Sequence, residues 1–395
     1  MFGFIAGIPR RLKHLFSKFK HIFSKPQFEN FCRTELGLIL ASKKEHDIKS
    51  TNELFIDKKD QSSLNRFITD PKWNIKTVTN QAKTLLLSEA NLGSSFEYKI
   101  IDDTVCRKYS QNTQMVGYNH SSTMGTVPSH DYVTSLYVNN SVAVPDGLKL
   151  YGNQKKCAEK GIEFKTRLQL ACDIIDEHTP LVKKTIWLWD SWFTCQEMAS
   201  KCRSHGYSWV GEIKSNRIVF YEDKRYRLDE LFDKIRLEGG LFDVVKGMVY
   251  SVFKADVFMP KMGYFSIVMD VKAGTGDVHF LCTDMLGCSV EEIVGHGLER
   301  HRIEDFYKEA KALGFGEYRF RASEAALIHA HLVVLVYTLL DVLRRRLVRY
   351  SILKSLLSFE ATVEWIRRKT MHLFIHKLRS ANQSTRSLLR LINTN

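Results

Sequence analysis

The sequence lacks several patterns that would assign it to common classes of protein. Its eight cysteines include no CxxC pair and no zinc-site spacing, which argues against a structural zinc site. No secretory signal precedes them, so scattered thiols indicate a reducing, cytosolic compartment. No phosphate-cradling glycine motif occurs, and we therefore expect no nucleotide hydrolysis as an energy source. The pair His372 and His376 lacks the adjacent Glu of a zinc-protease helix.

Long apolar runs are also missing. The most apolar segment, residues 325–340, has 16 residues and contains His329 and His331, so it is too short for a membrane span and fits a buried core helix. The N-terminal MFGFIAGIPRRLKHLF places apolar residues before basic ones, which reverses the order found in a signal peptide. We therefore expect no membrane association.

Acidic residues are scarce at both ends of a chain whose net charge is +14. Residues 1–28 carry six Lys or Arg and no acid, and residues 342–395 carry twelve with two acids, while the middle is near neutral. This distribution predicts an anionic polymer as partner, with solubilising tails as the alternative. The C-terminal segments RRRLVRY and 365–391 are amphipathic and basic, which favours DNA binding over a membrane-surface helix. The proposed DNA contacts there are Arg344, Arg345 and Arg346.

Hydrophobic periodicity divides the chain into regions. Residues 11–90 repeat apolar side chains every three or four positions, which predicts an all-helical N-terminal unit. From Phe96 onward, strand-like runs alternate with amphipathic helices, and this pattern predicts an α/β core with at least one parallel strand pair. Residues 215–282 instead predict an antiparallel β-meander with a hairpin turn at 273–276, and the chain becomes helical after Ser289. A β-rich segment is therefore inserted into an α/β domain.

Carboxylates occur where a metal site would need them. Asp102 and Asp103 end or nearly end the first core strand, Asp190 ends the strand IWLW, and Glu304 lies on a helix. Acids at neighbouring strand ends can converge, although a lone acid there is commonly a solvated cap. Hard oxygen ligands suit Mg²⁺ or Mn²⁺. Two such ions about 3.5–4 Å apart support phosphodiester chemistry.

The helix with Glu304 adds two cations. Arg300, Glu304 and Lys311 lie four and seven residues apart, hence on one helix face. That face can bind a metal together with neighbouring phosphates. A salt-bridge ladder on an exposed helix is the alternative.

The spacing R-x3-E-x6-K of these residues resembles the C-terminal signature of bacterial insertion-sequence DDE transposases. The family usually has Tyr three residues before the Arg, where this chain has Gly297. The stretch from LCTDMLGC to VLVYTLL follows the family in order and spacing, as do FSKPQFENFCRTELGLIL and SSLNRFITDPKWN near the N-terminus. The resemblance covers roughly residues 15–345.

Two further blocks carry the aspartates of the family. WDSWFTCQEMASKCRSHGYSWVGEIKSNR resembles the segment around the second aspartate, which implies Asp190. IIDDTVCRK resembles the block around the first, where we take Asp102 and keep Asp103 as the alternative. The implied catalytic and metal-binding triad is Asp102, Asp190 and Glu304.

The resemblance implies a ribonuclease H-like fold, and we predict five regions. They are 1–92, a helical N-terminal DNA-binding domain; 93–214, the first part of the ribonuclease H-like core; 215–284, the β-rich insertion; 285–345, the second part of the core; and 346–395, a basic helical region. The implied activity is cleavage at transposon ends with Mg²⁺ or Mn²⁺, through two ions, followed by strand transfer. The implied partners are double-stranded DNA with terminal inverted repeats, target DNA and a second copy in the DNA complex.

Arg300 and Lys311 are the implied phosphate contacts, and Lys108 is a further candidate. Trp192 and Phe193 either support a displaced base or pack at a helix start. Two other functions stay open: a DNA-binding protein of transposase descent that no longer cuts, and a metal-dependent nuclease with another DNA substrate.

Overall fold

The computed structural model describes residues 3–90, 92–109, 112–121, 123–237, 241–245, 248–272, 278–350 and 358–380. The protein is mixed α/β and contains one large mixed sheet. Helices precede, separate and follow its strands along the chain. It forms two compact units. Unit 1 contains Met1–Asn91, Val105–His130 and Phe306–Asn395, and unit 2 contains Leu92–Thr104 and Asp131–Asp305.

Unit 1 begins with five helices, which confirms the helical prediction for residues 11–90. An N-terminal capping box on Ser24 and Gln27 starts the second helix, and the Asn74 side chain caps the fifth. Phe31 is fully buried and packs against Phe23, whose ring stacks at 4.9 Å between centroids. The helices are α1 (Arg10–Ser17), α2 (Lys25–Leu40), α3 (Ile48–Glu53), α4 (Gln61–Thr69) and α5 (Ile75–Glu89).

The C-terminal helices of unit 1 include one long apolar helix, α12 (Ser323–Arg349). Its length and composition would suit a membrane span, yet 83% of its most apolar window is buried inside the protein. α12 is therefore a buried core helix, as predicted from the sequence for residues 325–340. The neighbouring helices are α11 (Arg302–Ala312), which begins in unit 2, and α13 (Phe359–Ser380).

The sheet contains three neighbouring parallel strands, β1, β5 and β6. The predicted parallel pairing is thereby confirmed. β5 has five of its six residues buried, and Trp187 and Trp189 are almost fully enclosed, as expected for a strand covered on both faces. The first strands are β1 (Phe96–Arg107), β2 (Gly117–Ser121), β3 (Gly125–Asn139), β4 (Val142–Tyr151), β5 (Lys184–Trp189) and β6 (Ser208–Glu212). The helices between them are α6 (Gln154–Lys160), α7 (Arg167–Asp176) and α8 (Gln196–Ser204).

The segment after β6 is antiparallel, which confirms the predicted meander. Its strand β12 pairs antiparallel with β6, so the meander continues the same sheet. The predicted turn at 273–276 lies outside the described residues. The elements are β7 (Ile218–Tyr221), β8 (Lys224–Arg227), α9 (Leu228–Leu237), β9 (Leu241–Val245), β10 (Met248–Met259), β11 (Gly263–Lys272), β12 (Val278–Thr283) and α10 (Val290–Gly297).

Strand order further explains why polar residues can gather in unit 2. The order runs β2, β3, β1, β5, β6, β12, β11, β10, β7, β8, with β4 beside β3 and β9 beside β10. Because β1, β5 and β6 are adjacent and parallel, their carboxyl ends share one edge of the sheet. The five predicted regions stay predictions.

Candidate active site

Carboxylates lie at the same edge of all three parallel strands. Asp190 directly follows β5, and Glu212 is the last residue of β6. Asp102 lies two residues beyond Ile100, the last β1 residue that pairs with β5. β1 itself continues to Arg107, so Asp102 and Asp103 lie inside the strand, where its parallel pairing has ended. The edge therefore carries one more acid, Glu212, than the sequence predicted.

Asp190 is held by the turn that follows it. Its Oδ1 accepts hydrogen bonds from the backbone N–H groups of Trp192 at 3.0 Å and Phe193 at 3.3 Å. Phe193 is fully buried, as in the packing alternative, whereas Trp192 is 44% exposed. The turn fixes the carboxylate and leaves its second oxygen available for another ligand.

Arg300 links the helix side of the site to the sheet. Its Nε donates to Glu212 Oε1 at 2.8 Å, and its Nη2 donates to Glu304 Oε1 at 2.9 Å. Burial opposes its charge, but the carboxylates of Glu212 and Glu304, followed by those of Asp102 and Asp190, raise the pKa of Arg300 overall. The guanidinium therefore contacts two carboxylates directly, and the charges of two more act on it. Arg300 lies in a short 3₁₀ helix, Leu298–His301, just before α11, and its i,i+4 ion pair with Glu304 is the salt bridge that the sequence analysis gave as the alternative.

Asp102 faces this group of charges. Burial, followed by the charges of Asp190 and Asp103, raises the pKa of Asp102 from 3.8 to about 8. Arg300 acts in the opposite direction but does not offset these effects. Close carboxylates that repel one another are stabilised by an added cation.

Asp103 belongs mainly to a different group. Successive residues of a strand point to opposite faces of the sheet. Burial and the charge of Asp131 raise the pKa of Asp103, with the charge of Asp190 as a smaller contribution. Asp131 is fully buried and forms an ion pair with Arg167. Asp131 and Arg167 are thus the charges that act most strongly on Asp103, although Asp190 acts on both neighbouring aspartates.

Glu212 and Asp131 were not predicted from the sequence. A signal for Glu212 was present, because WVGE ends with an acid after an apolar strand as IWLWD does. Gly211 precedes it, and a Cβ at that position would come within 2.5 Å of Thr194 Oγ1. Glycine therefore allows the turn after Asp190 to pack against β6 next to Glu212.

Gly297 replaces the Tyr that the family resemblance implies. A Cβ at this position would lie 2.7 Å from Leu281 Cδ1. A larger side chain would therefore require Leu281 to move.

The predicted DNA contacts in unit 1 differ in exposure. Lys311 is exposed in the last turn of α11, with its ammonium 5.9 Å from the centroid of the Tyr307 ring. Lys108 is buried and donates to the Gly316 carbonyl at 2.6 Å, with its ammonium 3.2 Å from the centroid of the Tyr318 ring. Burial lowers the pKa of Lys108 from 10.5 to about 7.

The three C-terminal arginines are engaged within unit 1. Arg344 and Arg345 both pair with Asp341, one turn earlier on α12. Arg346 donates through Nε to Glu89 at 2.8 Å. Their contact with DNA stays a prediction. A DNA phosphate would have to compete with Asp341 and Glu89 for these arginines.

The acids of unit 2 fit a divalent metal by chemistry. Asp102, Asp190, Glu212 and Glu304 offer only oxygen donors, which Mg²⁺ and Mn²⁺ prefer. Within the described ranges, no group of three or more His, Cys, Asp or Glu side chains is arranged to hold a metal ion. Arg300, which pairs with two of these acids, now provides positive charge among them.

Residues 37–229 match the family model described as DDE superfamily endonuclease. The match confirms the resemblance to DDE-type transposases and supports a nuclease or transposase type of enzyme acting on DNA. It contains Asp102, Asp103, Asp190 and Glu212 and ends before Arg300. No curated protein matches the chain.

Proposed function

From this family match and the carboxylates at one sheet edge, we propose that the protein is a DNA transposase. It cuts DNA strands at the ends of an insertion sequence and transfers them into target DNA. The observation that carries this proposal is the placement of Asp102, Asp190 and Glu212 where the parallel pairing of three strands ends, with Arg300 joining Glu212 to Glu304. The proposed core is ribonuclease H-like, with the antiparallel strands β7–β12 as its inserted region.

Asp102, Asp190 and Glu304 are the proposed metal ligands, with Asp103 as the alternative to Asp102. When bound, Mg²⁺ or Mn²⁺, as two ions, would activate the attacking oxygen and stabilise the leaving oxygen. Asp131 and Arg167, rather than Asp190, are the charges that act most strongly on Asp103, and this supports Asp102 as the ligand. The backbone turn after Asp190 supports its role, since a fixed carboxylate loses little freedom when it binds.

Arg300 and Glu212 have a positioning role in this proposal. Glu212 holds Arg300 through Nε, which leaves the two terminal nitrogens to face Glu304 and a DNA phosphate. A planar guanidinium anchored at one edge presents its remaining donors in a fixed direction. Glu212 thereby orients the cation that the family signature places beside Glu304.

The proposed substrate is double-stranded DNA bearing the terminal inverted repeats of the element, with a second protein copy in the complex. Arg300 and Lys311 are the proposed phosphate contacts, and Lys311 is exposed as this requires. Lys108, Arg344, Arg345 and Arg346 are weaker candidates, because each is engaged with carbonyl oxygens or carboxylates.

A cleavage assay tests this function. Wild type and Glu304→Gln are compared on DNA that contains the terminal repeats flanking the gene, with Mg²⁺ present or chelated. We expect metal-dependent nicking by wild type alone, with equal DNA binding by both proteins. Absence of nicking by wild type with Mg²⁺ and with Mn²⁺ would refute the proposal.

A DNA-binding protein of transposase descent that no longer cuts is the second candidate. The ion pairs that Arg300 makes among the acids favour it, because a cation already offsets part of their charge. It predicts repeat-specific binding without nicking under any metal. Nicking of DNA that lacks the repeats would instead indicate a nuclease of another specificity.

A further inference from the structure

A basic cleft lies within unit 1, between α1, the end of α12 and α13. Its volume is about 800 Å³. Arg10 and Arg11 of α1 and Lys369 of α13 line it, together with three histidines, one from α1 and two from α13. Leu12, Leu15 and Phe16 are the buried residues of α1, whereas Arg10 and Arg11 are exposed.

The periodicity of α13 shows why its side chains converge on the cleft. Phe359, Thr362, Ile366 and Thr370 are the buried residues of this helix. The lining residues Trp365, Lys369, His372 and His376 follow the spacing i, i+4, i+7 and i+11, which places them along one adjacent face. Helix geometry therefore builds a continuous stripe of cations and aromatic surface rather than a scattered set.

The charge of the cleft has little internal compensation. None of the described residues that line it is acidic, and the sequence contains no acid after Glu364. Within the described part of the chain, Arg10, Arg11 and Lys369 are in no ion pair, whereas Arg346 pairs with Glu89. The three former cations can therefore take an anionic ligand without first breaking a salt bridge.

Two aromatic rings lie beside these cations. The Arg11 guanidinium is 5.8 Å from the centroid of the Tyr350 ring, and the Lys369 ammonium is 5.7 Å from that of Trp365. Tyr350 is 58% exposed. Cations alternating with accessible rings are typical of surfaces that follow a sugar–phosphate backbone.

We propose that this cleft is a second DNA-binding site, separate from the carboxylate edge, which holds the phosphodiester backbone of one strand. Arg10, Arg11 and Lys369 contact phosphates, and Tyr350 and Trp365 cover the sugar or base surface. The choice of DNA over another polyanion rests on the proposed function. The match between the positive charge of the cleft and a negatively charged polymer does not depend on that function.

A matched pair of double variants tests the cleft. Arg11→Gln with Lys369→Gln removes two cleft charges. Arg367→Gln with Arg368→Gln removes two charges from α13 outside the cleft, where both arginines pair with Glu364. Binding of the full-length chain to a fluorescent 20-base-pair duplex is measured without divalent metal over a series of salt concentrations.

We expect the cleft variant to bind about 60-fold more weakly near 0.1 M salt, with a salt slope smaller by about 1.8 for two lost phosphate contacts. The control variant stays within about twofold of wild type. Equal losses in both variants, or no loss in either, would overturn the proposal. If the double variant does not fold, Lys369→Gln alone is used, with Arg368→Gln as its control and roughly an eightfold loss expected.

Phosphatidylserine vesicles form a second arm of the experiment. Loss of vesicle binding by the cleft variant, with DNA binding unchanged, would overturn the DNA assignment in favour of a lipid headgroup. If the cleft variant loses DNA binding but the wild type never nicks DNA, the cleft proposal is supported and the proposed catalytic function is refuted. If the wild type nicks DNA but the cleft variant binds DNA as tightly as the wild type, the cleft proposal is refuted and the catalytic function is supported.

Discussion

Arg300 holds Glu212 and Glu304 at the same time, and removing the Glu212 charge tests this arrangement. Glu212→Gln keeps the shape of the side chain but takes away the anion that anchors Nε, which lies 2.8 Å from Glu212 Oε1. Arg300 then pairs with Glu304 alone. A metal ion must compete with that strengthened pair for the Glu304 carboxylate.

The expected size of the effect follows from the exposure of the pair. A hydrogen bond to a charged group contributes about 1.5–3 kcal/mol. The Arg300 and Glu212 side chains are 21% and 33% exposed, so solvent screening favours the lower end of that range. About 1.4 kcal/mol corresponds to tenfold, so we expect the Mg²⁺ concentration for half-maximal nicking to rise about tenfold.

The assay is a magnesium titration of nicking by wild type, Glu212→Gln and Glu222→Gln. Glu222 is a suitable control because it is 63% exposed and forms only a long ion pair of 3.6 Å with Lys234 among the described residues. Both variants should be fully folded at the assay temperature, although Glu212→Gln loses the stabilisation of one partly exposed ion pair. An unaltered magnesium dependence in Glu212→Gln would refute the positioning role, whereas unfolding of this variant at the assay temperature would show a structural one.

Four further variants test individual residues. Asp102→Asn should abolish nicking, whereas Asp103→Asn should retain it, and the reverse result would make Asp103 the ligand. Burial lowers the pKa of His329 from 6.5 to about 4, so the folded state takes up fewer protons than the unfolded state as pH falls through this interval. Between pH 7.5 and 5, the free energy of unfolding of the wild type should fall by about 2 kcal/mol more than that of His329→Gln. Urea unfolding at the two pH values measures this difference, and equal falls in the two proteins would contradict it. Burial lowers the pKa of Lys108 to about 7, so the folded state releases this proton at a lower pH than the unfolded state does. The free energy of unfolding of the wild type should therefore rise by about 2 kcal/mol between pH 7 and 9. An equal rise in a Lys108→Met variant would show that Lys108 is not the cause.

Local patterns predicted much of the fold. Three- and four-residue spacing located the N-terminal helices, and alternating strands and helices located the parallel core. The apolar run before Asp190 forms a buried strand, and the acid follows it directly, as expected. These features depend on neighbouring residues along the chain, which a single sequence displays.

Features that depend on distant contacts could not be predicted in this way. Lys108 is an ordinary basic residue in the sequence, and its burial arises from the carbonyl oxygen of Gly316 and the ring of Tyr318. The ion pair of Arg346 with Glu89 likewise joins separate parts of the chain. The pairs with Asp341 are different, since their i,i+3 and i,i+4 spacing was visible in the sequence.

The central claim is that the acids at the sheet edge bind a catalytic divalent metal, and a change of ligand at Asp190 tests it most directly. A thiolate is a poor ligand for Mg²⁺ but a better one for Mn²⁺. We predict that Asp190→Cys loses nicking in Mg²⁺ and regains it in Mn²⁺, while Asp190→Ala is inactive in both. Mg²⁺-dependent nicking by Asp190→Ala at the wild-type rate would contradict the account.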